Sequence, residues 1–519
     1  MAIIGLLQKL VSRSTDSDRE GALNQLRFTL VKNSLANMVR VCASAIVALV
    51  LPHFLTRALD HDRFSAWALM LQIAAYANYL DFGLQTAVAR YLAQAIERGD
   101  TEFRDRLTST AFALLSIGSL IAVLAIGCVL AFLPGLFQQA PALLIPELRG
   151  GILILAVCTA LLLPLSTFTG VLIGLYRNDV PAISIGSSRL VGAVLVIFAV
   201  THTHSLIVLA VLIGGCNLAG GLTQYFLVRK LLPTMRIAIN LASRNMAAEL
   251  ARYCSTLTIW SLCMLLVGGL DVTIVGHYDF AAVGAYSVAT LLIAFLTGIN
   301  NSVYGALLAP LAVLQERAQL RRIGTLVVTV TRLTSFVDIS AVLAVFLFGD
   351  SVLRLWVGES YAMQALPILR ILVMANAIRL VGAPLSAALV ATNQQHYGIS
   401  GAVVEGISNF ALSIGGAMLV GAVGVAYGTL AGSCISILWV LLLMVRCLRM
   451  PIVSRAELVL EGCIRPALCL LPVILCVVAY GGLPWTTWRS LGVTVAVIVT
   501  VAITWRWGRM WHSYSEPAA

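Results

Sequence analysis

Long apolar runs separated by short polar clusters dominate the pattern along this chain. Residues 107–146, 190–228 and 406–445 contain no Asp, Glu, Lys or Arg. A helix of about 20 apolar residues spans the hydrocarbon core of a bilayer, so these runs are long enough for one or two spans each. Turn-forming residues divide two of them, at Thr201–His204 and at residues 421–424, which predicts a hairpin in each.

Applied to the whole chain, this pattern predicts about fourteen transmembrane helices, an all-α fold and no soluble domain. The predicted spans are 29–56, 64–92, 108–133, 149–176, 181–201, 206–228, 253–276, 283–311, 324–348, 362–391, 399–419, 422–445, 464–480 and 489–506. Residues 2–11 are apolar as well, but no basic segment precedes them and no small-residue cleavage site follows. We therefore interpret them as a short interfacial helix rather than a signal peptide.

The composition supports a membrane protein. Hydrophobic residues make up 60% of the chain and charged residues 11%, whereas soluble domains carry about 25% charged residues. The net charge of +11 is spread over short clusters between the apolar runs. Such clusters are typical of cytoplasmic loops, and without a basic tail or block they argue against nucleic acid as a partner.

The distribution of basic residues predicts the orientation of these spans. With the N-terminus in the cytoplasm, most basic residues fall in cytoplasmic loops or the tail: Arg98, Arg104, Arg106, Arg177, Arg229, Lys230, Arg236, Arg244, Arg317, Arg321, Arg322, Arg446, Arg449, Arg455, Arg506 and Arg509. The opposite loops hold only Arg57, Arg63, Arg149, Arg354 and Arg489. This bias follows the positive-inside rule and predicts that both termini are cytoplasmic.

Short matches recur at an interval of about 220 residues, which predicts two related halves. Pro164-Leu165-Ser166 recurs as Pro384-Leu385-Ser386, and Gly186 corresponds to Gly406. The predicted domains are a membrane-surface segment (1–28), a six-helix bundle (29–233), a cytoplasmic linker (234–252), a second six-helix bundle (253–451), a second linker (452–463), helices 13 and 14 (464–507) and a cytoplasmic tail (508–519). Both halves start on the same side, and transporters with parallel repeats place their substrate path between the halves.

A family resemblance rests on several short stretches: PHFLTRAL at 52–59, FSAW at 64–67, LDFGL at 80–84, ARY at 89–91, and in the second half Asp271, Val275-Gly276 and VGAYS at 283–287. These resemble bacterial polysaccharide-export flippases, the Wzx-type members of the MATE-like multidrug/oligosaccharidyl-lipid/polysaccharide superfamily. The resemblance implies two six-helix bundles around a central cavity in the bacterial inner membrane. It also implies that the substrate is an undecaprenyl-diphosphate-linked oligosaccharide for surface polysaccharides such as O-antigen. Polysaccharide polymerase or export machinery would be candidate partners, besides the membrane lipids.

Ionisable residues inside the predicted spans are independent of that resemblance. They are Arg40, Asp81, Arg90, Arg189, Asp271, Arg332, Asp338, Arg370, Arg379 and Glu405. Insertion scales assign about 2.5–3.5 kcal/mol to each Arg or Asp at a helix centre, so most should face a hydrated interior or one another. Polar residues one turn away indicate such faces, since Asn37 precedes Arg40, Asn78 precedes Asp81 and Asn376 precedes Arg379.

From these faces we predict a substrate-binding set: Arg40, Arg379, Arg189, Arg332, Asn37, Asn78 and Asn376. A guanidinium suits a diphosphate because its planar fork meets two phosphate oxygens at once, and the amides suit sugar hydroxyls. The alternative is that the arginines hold helices together through acids or extend to lipid headgroups. For Arg90, near the predicted cytoplasmic end of its helix, we favour that alternative.

Four acids are candidates for binding a coupling H⁺ or Na⁺: Asp81, Asp271, Asp338 and Glu405. A salt bridge to a nearby arginine is the alternative for each. We find no P-loop pattern, so an ion gradient rather than ATP is expected to drive transport. We expect no cofactor and no metal site, because His202 and His204 lack further ligands and the cysteines form no CxxC pair.

Two other functions remain as alternatives. A cation-coupled multidrug exporter of the same superfamily should have an acidic, aromatic cavity, and the intramembrane arginines argue against it. A membrane polysaccharide polymerase or ligase should have a long outside loop with catalytic residues. The predicted outside loops are short and contain no His–acid cluster, so we predict that the protein is not an enzyme and has no catalytic residues.

Overall fold

The computed structural model describes residues 43–392, 394–446, 453–480 and 487–512. Every regular element in these ranges is helical, so the predicted all-α fold is confirmed for the part of the chain that is described. The candidate residues Asn37 and Arg40, and the predicted segment 1–28, lie outside the described residues.

The chain divides into two compact units, Met1–Leu265 and Leu266–Ala519. The described α-helices of five or more residues in the first unit are α1 (Ala43–Ala58), α2 (His61–Ala75), α3 (Leu84–Arg98), α4 (Thr101–Ala131), α5 (Ile145–Gly174), α6 (Asp179–Val200), α7 (Leu206–Leu231) and α8 (Arg244–Met264). Those of the second unit are α9 (Asp271–Tyr278), α10 (Val283–Glu316), α11 (Leu320–Val357), α12 (Glu359–Leu380), α13 (Ala383–Ala391), α14 (Gln395–Arg446), α15 (Arg455–Val459), α16 (Arg465–Cys469), α17 (Leu471–Tyr480) and α18 (Thr487–His512).

Within the described residues, nine helices are long and apolar enough to cross a membrane. The number rises to ten if the bent pair Arg455–Cys469 and Leu471–Ala479 forms one span. Two shorter apolar helices are also present, Ala43–Ala58 and Gly492–Thr504. The chain is therefore a multi-pass membrane protein, whereas the count of fourteen spans stays a prediction.

The second predicted span, 64–92, is corrected by the structure, because it is not one continuous helix. A 3₁₀ helix over Tyr76–Asp81 separates α2 from α3. Phe82 (φ 52°) and Gly83 (φ 75°) then adopt left-handed backbone conformations. Such φ values interrupt an α-helix and are uncommon for a bulky residue such as phenylalanine. Apolar periodicity carries no information on this break.

Helices begin inside both segments that were predicted as linkers. Within 234–252, α8 starts at Arg244. Within 452–463, α15 starts at Arg455 and continues as a π-helix over Leu460–Ile464. The hydroxyl of Ser454 caps α15 by accepting a hydrogen bond from a backbone N–H, a common way to begin a helix.

The long helix α14 is a hairpin. Val420 and Gly421 have non-helical dihedral angles, with φ of 62° at Gly421. They divide α14 into a first arm, 395–419, and a second arm, 422–446. The position of this turn confirms the break that the glycines predicted in the uncharged run 406–445.

The two arms of α14 pack along a glycine seam. A Cβ atom added to Gly424 would lie 1.9 Å from the carbonyl oxygen of Gly416, and one added to Gly428 would lie 2.4 Å from the backbone nitrogen of Ser413. Gly432 continues the same row one turn later. The backbones of the arms are thus in direct contact, as expected for small residues repeated every four positions in a membrane helix.

Within the second unit, the C-terminal helices pack against α11. Leu458 of α15 shares a buried cluster with Val327, and Leu347 shares another with Val473 and Val493. The chain bends by 57° between α16 and α17. The two ends of α11 are therefore covered by different parts of the C-terminal segment.

Candidate functional site

The interior of the second unit contains a buried carboxyl group at the start of α9. Asp271 follows the π-helix Leu265–Gly269 and is only 3% exposed. The hydroxyl of Tyr286 on α10 (3.0 Å) and that of Thr429 on the second arm of α14 (3.2 Å) both donate to Asp271 Oδ2. A negative charge in the first turn of a helix is also favoured by the helix dipole. Asp271 Oδ1 has no hydrogen-bond partner among the described residues and can accept one.

A second buried acid, Glu405, lies on the first arm of α14 and is 5% exposed. The hydroxyl of Ser436 on the second arm donates to Glu405 Oε2 over 3.1 Å. In the described structure Oε1 has no partner. A buried carboxylate with an unpartnered oxygen is costly, so binding a proton or a cation would stabilise it.

Arg379 lies close to both acids near the end of α12. Its Nη2 donates over 2.8 Å to Oδ1 of Asn376, which also accepts the hydroxyl of Thr297 over 2.9 Å. The guanidinium is within electrostatic range of Asp271 and Glu405, yet it forms no ion pair with any described residue. The arginine is thus held by a neutral amide, and its charge remains available to an anion.

A third acid, Asp338 on α11, lies next to this group. It is buried and accepts a hydrogen bond from Nδ2 of Asn300 on α10, over 2.8 Å. Tyr304, one turn after Asn300, is within electrostatic range of both Asp338 and Arg379. The structure therefore brings three of the four predicted acids into the same unit interior as Arg379.

The candidates of the first unit have separate surroundings. Asp81, at the end of the 3₁₀ helix, accepts the hydroxyl of Ser166 on α5 over 3.3 Å. Asn78, within the same 3₁₀ helix, is exposed. Arg189 is exposed too, and its Nη1 donates over 2.9 Å to the hydroxyl of Ser44 on α1.

Three further arginines have contacts of a structural kind. Arg332 Nη1 lies 3.7 Å from Glu461 Oε2, and Arg465 pairs with the same carboxylate. The structure thus directs Arg332 to the C-terminal helices rather than to the group around Arg379, as in the helix-pairing alternative. Arg370 lies over the ring of Phe346 at 5.2 Å, and Arg90 over that of Tyr253 at 5.3 Å.

Several residues of this site were not predicted from the sequence. They are the hydroxyl and amide partners of the charged groups: Tyr286, Thr297, Asn300, Thr429 and Ser436. A signal existed for helix α14, since Thr429, Ser433 and Ser436 are spaced by four and three residues in an uncharged run. The other partners are on different helices, which sequence spacing does not relate.

Among the described residues, no group of three or more His, Cys, Asp or Glu side chains is arranged to hold a metal ion. His202 and His204 lie in the turn after α6, as predicted. The ring of His202 packs against Phe198 with 4.6 Å between centroids, and the backbone carbonyl of His204 accepts a hydrogen bond from Arg63.

Comparisons with known proteins agree with this architecture. The sequence model of the family described as "Polysaccharide biosynthesis protein" matches residues 30–315. The fold is similar to that of the lipid II flippase MurJ in an inward closed conformation, with a TM-score of 0.70 and 11% identity over 93% of this chain and 99% of that chain.

Two further solved structures are similar in fold. One is a multidrug resistance MATE family transporter of the MOP superfamily, inward-facing, with a TM-score of 0.64 and 13% identity over 78% of this chain and 97% of that chain. The other is a MOP superfamily transporter from Pyrococcus furiosus, with a TM-score of 0.56 and 14% identity over 80% and 95%. No curated protein sequence matches the chain.

Proposed function

The chain belongs to the polysaccharide biosynthesis protein family, and on this basis we propose that it flips a lipid-linked oligosaccharide across the bacterial inner membrane. The substrate would be an undecaprenyl-diphosphate-linked oligosaccharide used for surface polysaccharides. Transport would proceed by alternating access, with binding from the cytoplasmic side and release on the other. Both chain termini would then be cytoplasmic, and polysaccharide polymerase or export machinery would receive the product.

The observation that carries this proposal is the environment of Arg379. An arginine inside a spanning helix is expensive unless it meets an anion or water. Asn376 orients the guanidinium through a 2.8 Å hydrogen bond without neutralising it. A diphosphate offers the paired oxygens that a guanidinium fork binds best, and the Asn376 amide and the Thr297 hydroxyl add groups suited to sugar or phosphate oxygens.

The buried acids support ion coupling. Asp271 has two hydroxyl donors on one oxygen and an unpartnered second oxygen. This arrangement can hold one H⁺ or Na⁺, and filling it would change the field at Arg379, which lies within electrostatic range. Asp81, Asp338 and Glu405 remain candidates for the same role, and Arg40, Arg189, Arg332, Asn37 and Asn78 remain candidates for contacts with the substrate.

The structural relatives support transport in two forms. The similar fold of a lipid II flippase favours a lipid-linked substrate. The similar fold of a multidrug resistance MATE family transporter supports a second candidate, a cation-coupled multidrug exporter. We favour the first because the family model that matches the chain is that of a polysaccharide biosynthesis protein, and because the guanidinium of Arg379 offers an anion-binding group beside the buried acids.

The test is complementation of a strain that lacks its own copy of this gene, with surface polysaccharide and accumulated lipid-linked intermediate as readouts. Arg379→Ala and Arg379→Gln should lower export by about tenfold or more, since one charged hydrogen bond contributes about 1.5–3 kcal/mol. Arg379→Lys should recover only part, because an ammonium lacks the planar fork.

The matched control is Arg354→Ala, which removes an exposed arginine that pairs with Asp350 and Glu359. Surface ion pairs contribute little, so export should stay near the wild-type level. Normal export by Arg379→Ala at normal membrane abundance would refute the role of this arginine. A drug-resistance phenotype without any change in polysaccharide would favour the multidrug exporter.

A further inference from the structure

The two arms of α14 each carry a stripe of polar side chains. On the first arm, Glu405, Asn409 and Ser413 follow one another at intervals of four residues. The second arm has Thr429, Ser433 and Ser436, at intervals of four and three. Such intervals place the members of each set on one helix face. All six side chains are buried, and between residues 405 and 436 Glu405 is the only charged residue.

The glycine seam sets these two stripes side by side. A Cβ atom on Gly428 would lie 2.5 Å from Cα of Ser413, and one on Gly432 would lie 2.9 Å from Cα of Asn409. The hydroxyl of Ser413 accordingly reaches the other arm and donates to the carbonyl oxygen of Val425 over 3.4 Å. The stripes therefore form one polar column.

A carboxyl group lies at each end of this column. Thr429 donates to Asp271 at the end nearer the Gly421 turn, and Ser436 donates to Glu405 at the other end. Ser436 lies seven positions after Thr429 on the helix, which corresponds to a rise of about 10 Å. The column thus runs for about a third of the hydrocarbon thickness, which is about 30 Å.

Three polar atoms in the column have no hydrogen-bond partner among the described residues: Asp271 Oδ1, Asn409 Nδ2 and Glu405 Oε1. Asn409 is 0% exposed. Buried polar atoms are nearly always paired in folded proteins, and an unpaired one costs about 1–3 kcal/mol. Three such atoms along one column indicate that the column takes up a small polar species.

The side chains of the column suit a proton. A hydroxyl both accepts and donates, whereas a bound metal cation uses acceptors only. The unpartnered atom of Asn409 is a donor, which suits a carboxylate or water. Side chains one turn apart have Cβ atoms about 5–6 Å apart, a gap that one hydrogen-bonded water can bridge.

We propose that one proton passes between Asp271 and Glu405 through the hydroxyls of Ser413, Thr429, Ser433 and Ser436 and bridging water, with the Asn409 amide donating to that water. The proton leaves the O–H of one carboxyl group, and each hydroxyl accepts one proton and gives one up. The other carboxylate then forms an O–H bond, so one negative charge moves in the opposite direction. Other ionisable groups act on the ends of the column: the hydroxyl of Tyr286 donates to Asp271, and Arg379 is within electrostatic range of both acids.

The role of this transfer in transport rests on the proposed flippase function, but the transfer itself is measurable without substrate. Infrared difference spectra of the purified full-length protein report the C=O band of protonated carboxyl groups as pH is varied. Asp271→Asn and Glu405→Gln each remove one band and so assign both. Because linked acids titrate as a pair, Glu405→Gln should move the titration midpoint of Asp271 by about one pH unit or more.

Two results of this titration would overturn the proposal. One is an Asp271 midpoint that stays the same in Glu405→Gln. The other is loss of the Asp271 band on adding NaCl at constant pH with no effect at Glu405, which would indicate an isolated sodium site. Neither result bears on whether Arg379→Ala stops polysaccharide export, so the two proposals fail separately.

A kinetic experiment tests the route. After a rapid pH jump, Ser433→Ala should slow the second carboxyl band about tenfold or more, whereas Ser433→Thr keeps the hydroxyl and should retain the rate. The matched control is Ser408→Ala, because the Ser408 and Ser433 hydroxyls each donate to a backbone carbonyl one turn earlier in their own arm, at Val404 and Thr429, and only Ser433 belongs to the column. Equal rates for Ser433→Ala and Ser408→Ala in well-folded protein would refute the route.

Discussion

Arg379 and Asn376 share one hydrogen bond, 2.8 Å from the guanidinium Nη2 to the amide Oδ1, one turn apart on α12. The same amide oxygen accepts the hydroxyl of Thr297 from α10. The amide thereby fixes the position of the guanidinium, which forms no direct ion pair with any described residue. This relationship separates two properties of an arginine site, orientation and charge, that mutation can change one at a time.

Replacing Asn376 by aspartate should damage transport more than replacing it by alanine. A carboxylate at this position would form an ion pair with Arg379 and compete with the phosphate groups of the substrate. We expect polysaccharide export to fall about tenfold or more in Asn376→Asp, in line with about 1.5–3 kcal/mol for a charged hydrogen bond. Asn376→Ala removes only the orientation and should fall less.

The readout is surface polysaccharide at equal membrane abundance of each variant. Thr297→Val is the comparison variant, because it removes the other donor to the same oxygen, leaves the Arg379 hydrogen bond in place and adds no charge, so it should lose less export than Asn376→Asp. Wild-type export in Asn376→Asp would show that the charge of Arg379 does not meet the substrate.

Gly428→Ala should destabilise the second unit. Its Cβ atom would lie 2.4 Å from the backbone nitrogen of Ser413, where no side chain can move aside. Overpacking of this kind costs about 1–3 kcal/mol. Gly415→Ala, on the first arm, is the control, since nothing lies within 4 Å of its added Cβ. Thermal unfolding in detergent should show a lower midpoint for Gly428→Ala alone; equal midpoints would contradict the close seam.

Sequence patterns predicted those parts of the fold that depend on neighbouring residues. Gly421 predicted the turn of α14, and the four-residue spacing of Gly424, Gly428 and Gly432 is that of a packing face, because both follow from local spacing and backbone freedom. The left-handed conformation of Phe82 was not predictable, since it lies between two helices, α2 and α3, that each pack against α5. Apolar residues before and after it give the same pattern for a straight or a broken helix.

The candidate site divides in the same way. Asn376 and Arg379 are three residues apart, so helical periodicity placed them on one face. Asp271 and Thr429 are 158 positions apart, and no spacing rule relates them. For Arg332, the sequence allowed either a substrate contact or an acid partner, and only the packing of the C-terminal helices on α11 identifies Glu461 as the partner.

The Arg332–Glu461 pair should stabilise the attachment of the C-terminal helices. Glu461→Ala leaves Arg332 and Arg465 without their shared carboxylate. We expect the free energy of unfolding to fall by about 1–3 kcal/mol. Breaking a fully buried pair costs about 3–5 kcal/mol, and this site is partly solvated. The double variant with Arg332→Ala should lose less than the sum of the single variants. Glu457→Ala, at an exposed position on α15, is the control. Additive losses in thermal unfolding would refute the coupling.

Asp271→Asn and Asp338→Asn should have different effects on transport although both keep the fold. In each variant an amide oxygen can still accept the existing donors, Tyr286 and Thr429 at one site and Asn300 at the other. Asp271 also has a buried oxygen without a partner in the described structure, whereas neither oxygen of Asp338 is buried without a partner there. An ion held at Asp271 would bind this free oxygen, and a neutral amide in its place cannot bind or release a proton.

We therefore expect Asp271→Asn to abolish gradient-driven export and Asp338→Asn to retain a larger share of it. Export would be followed in cells with and without a protonophore, at matched protein levels. If Asp338→Asn proved the more damaging variant, the coupling ion would have to be assigned to the Asn300–Asp338 pair instead.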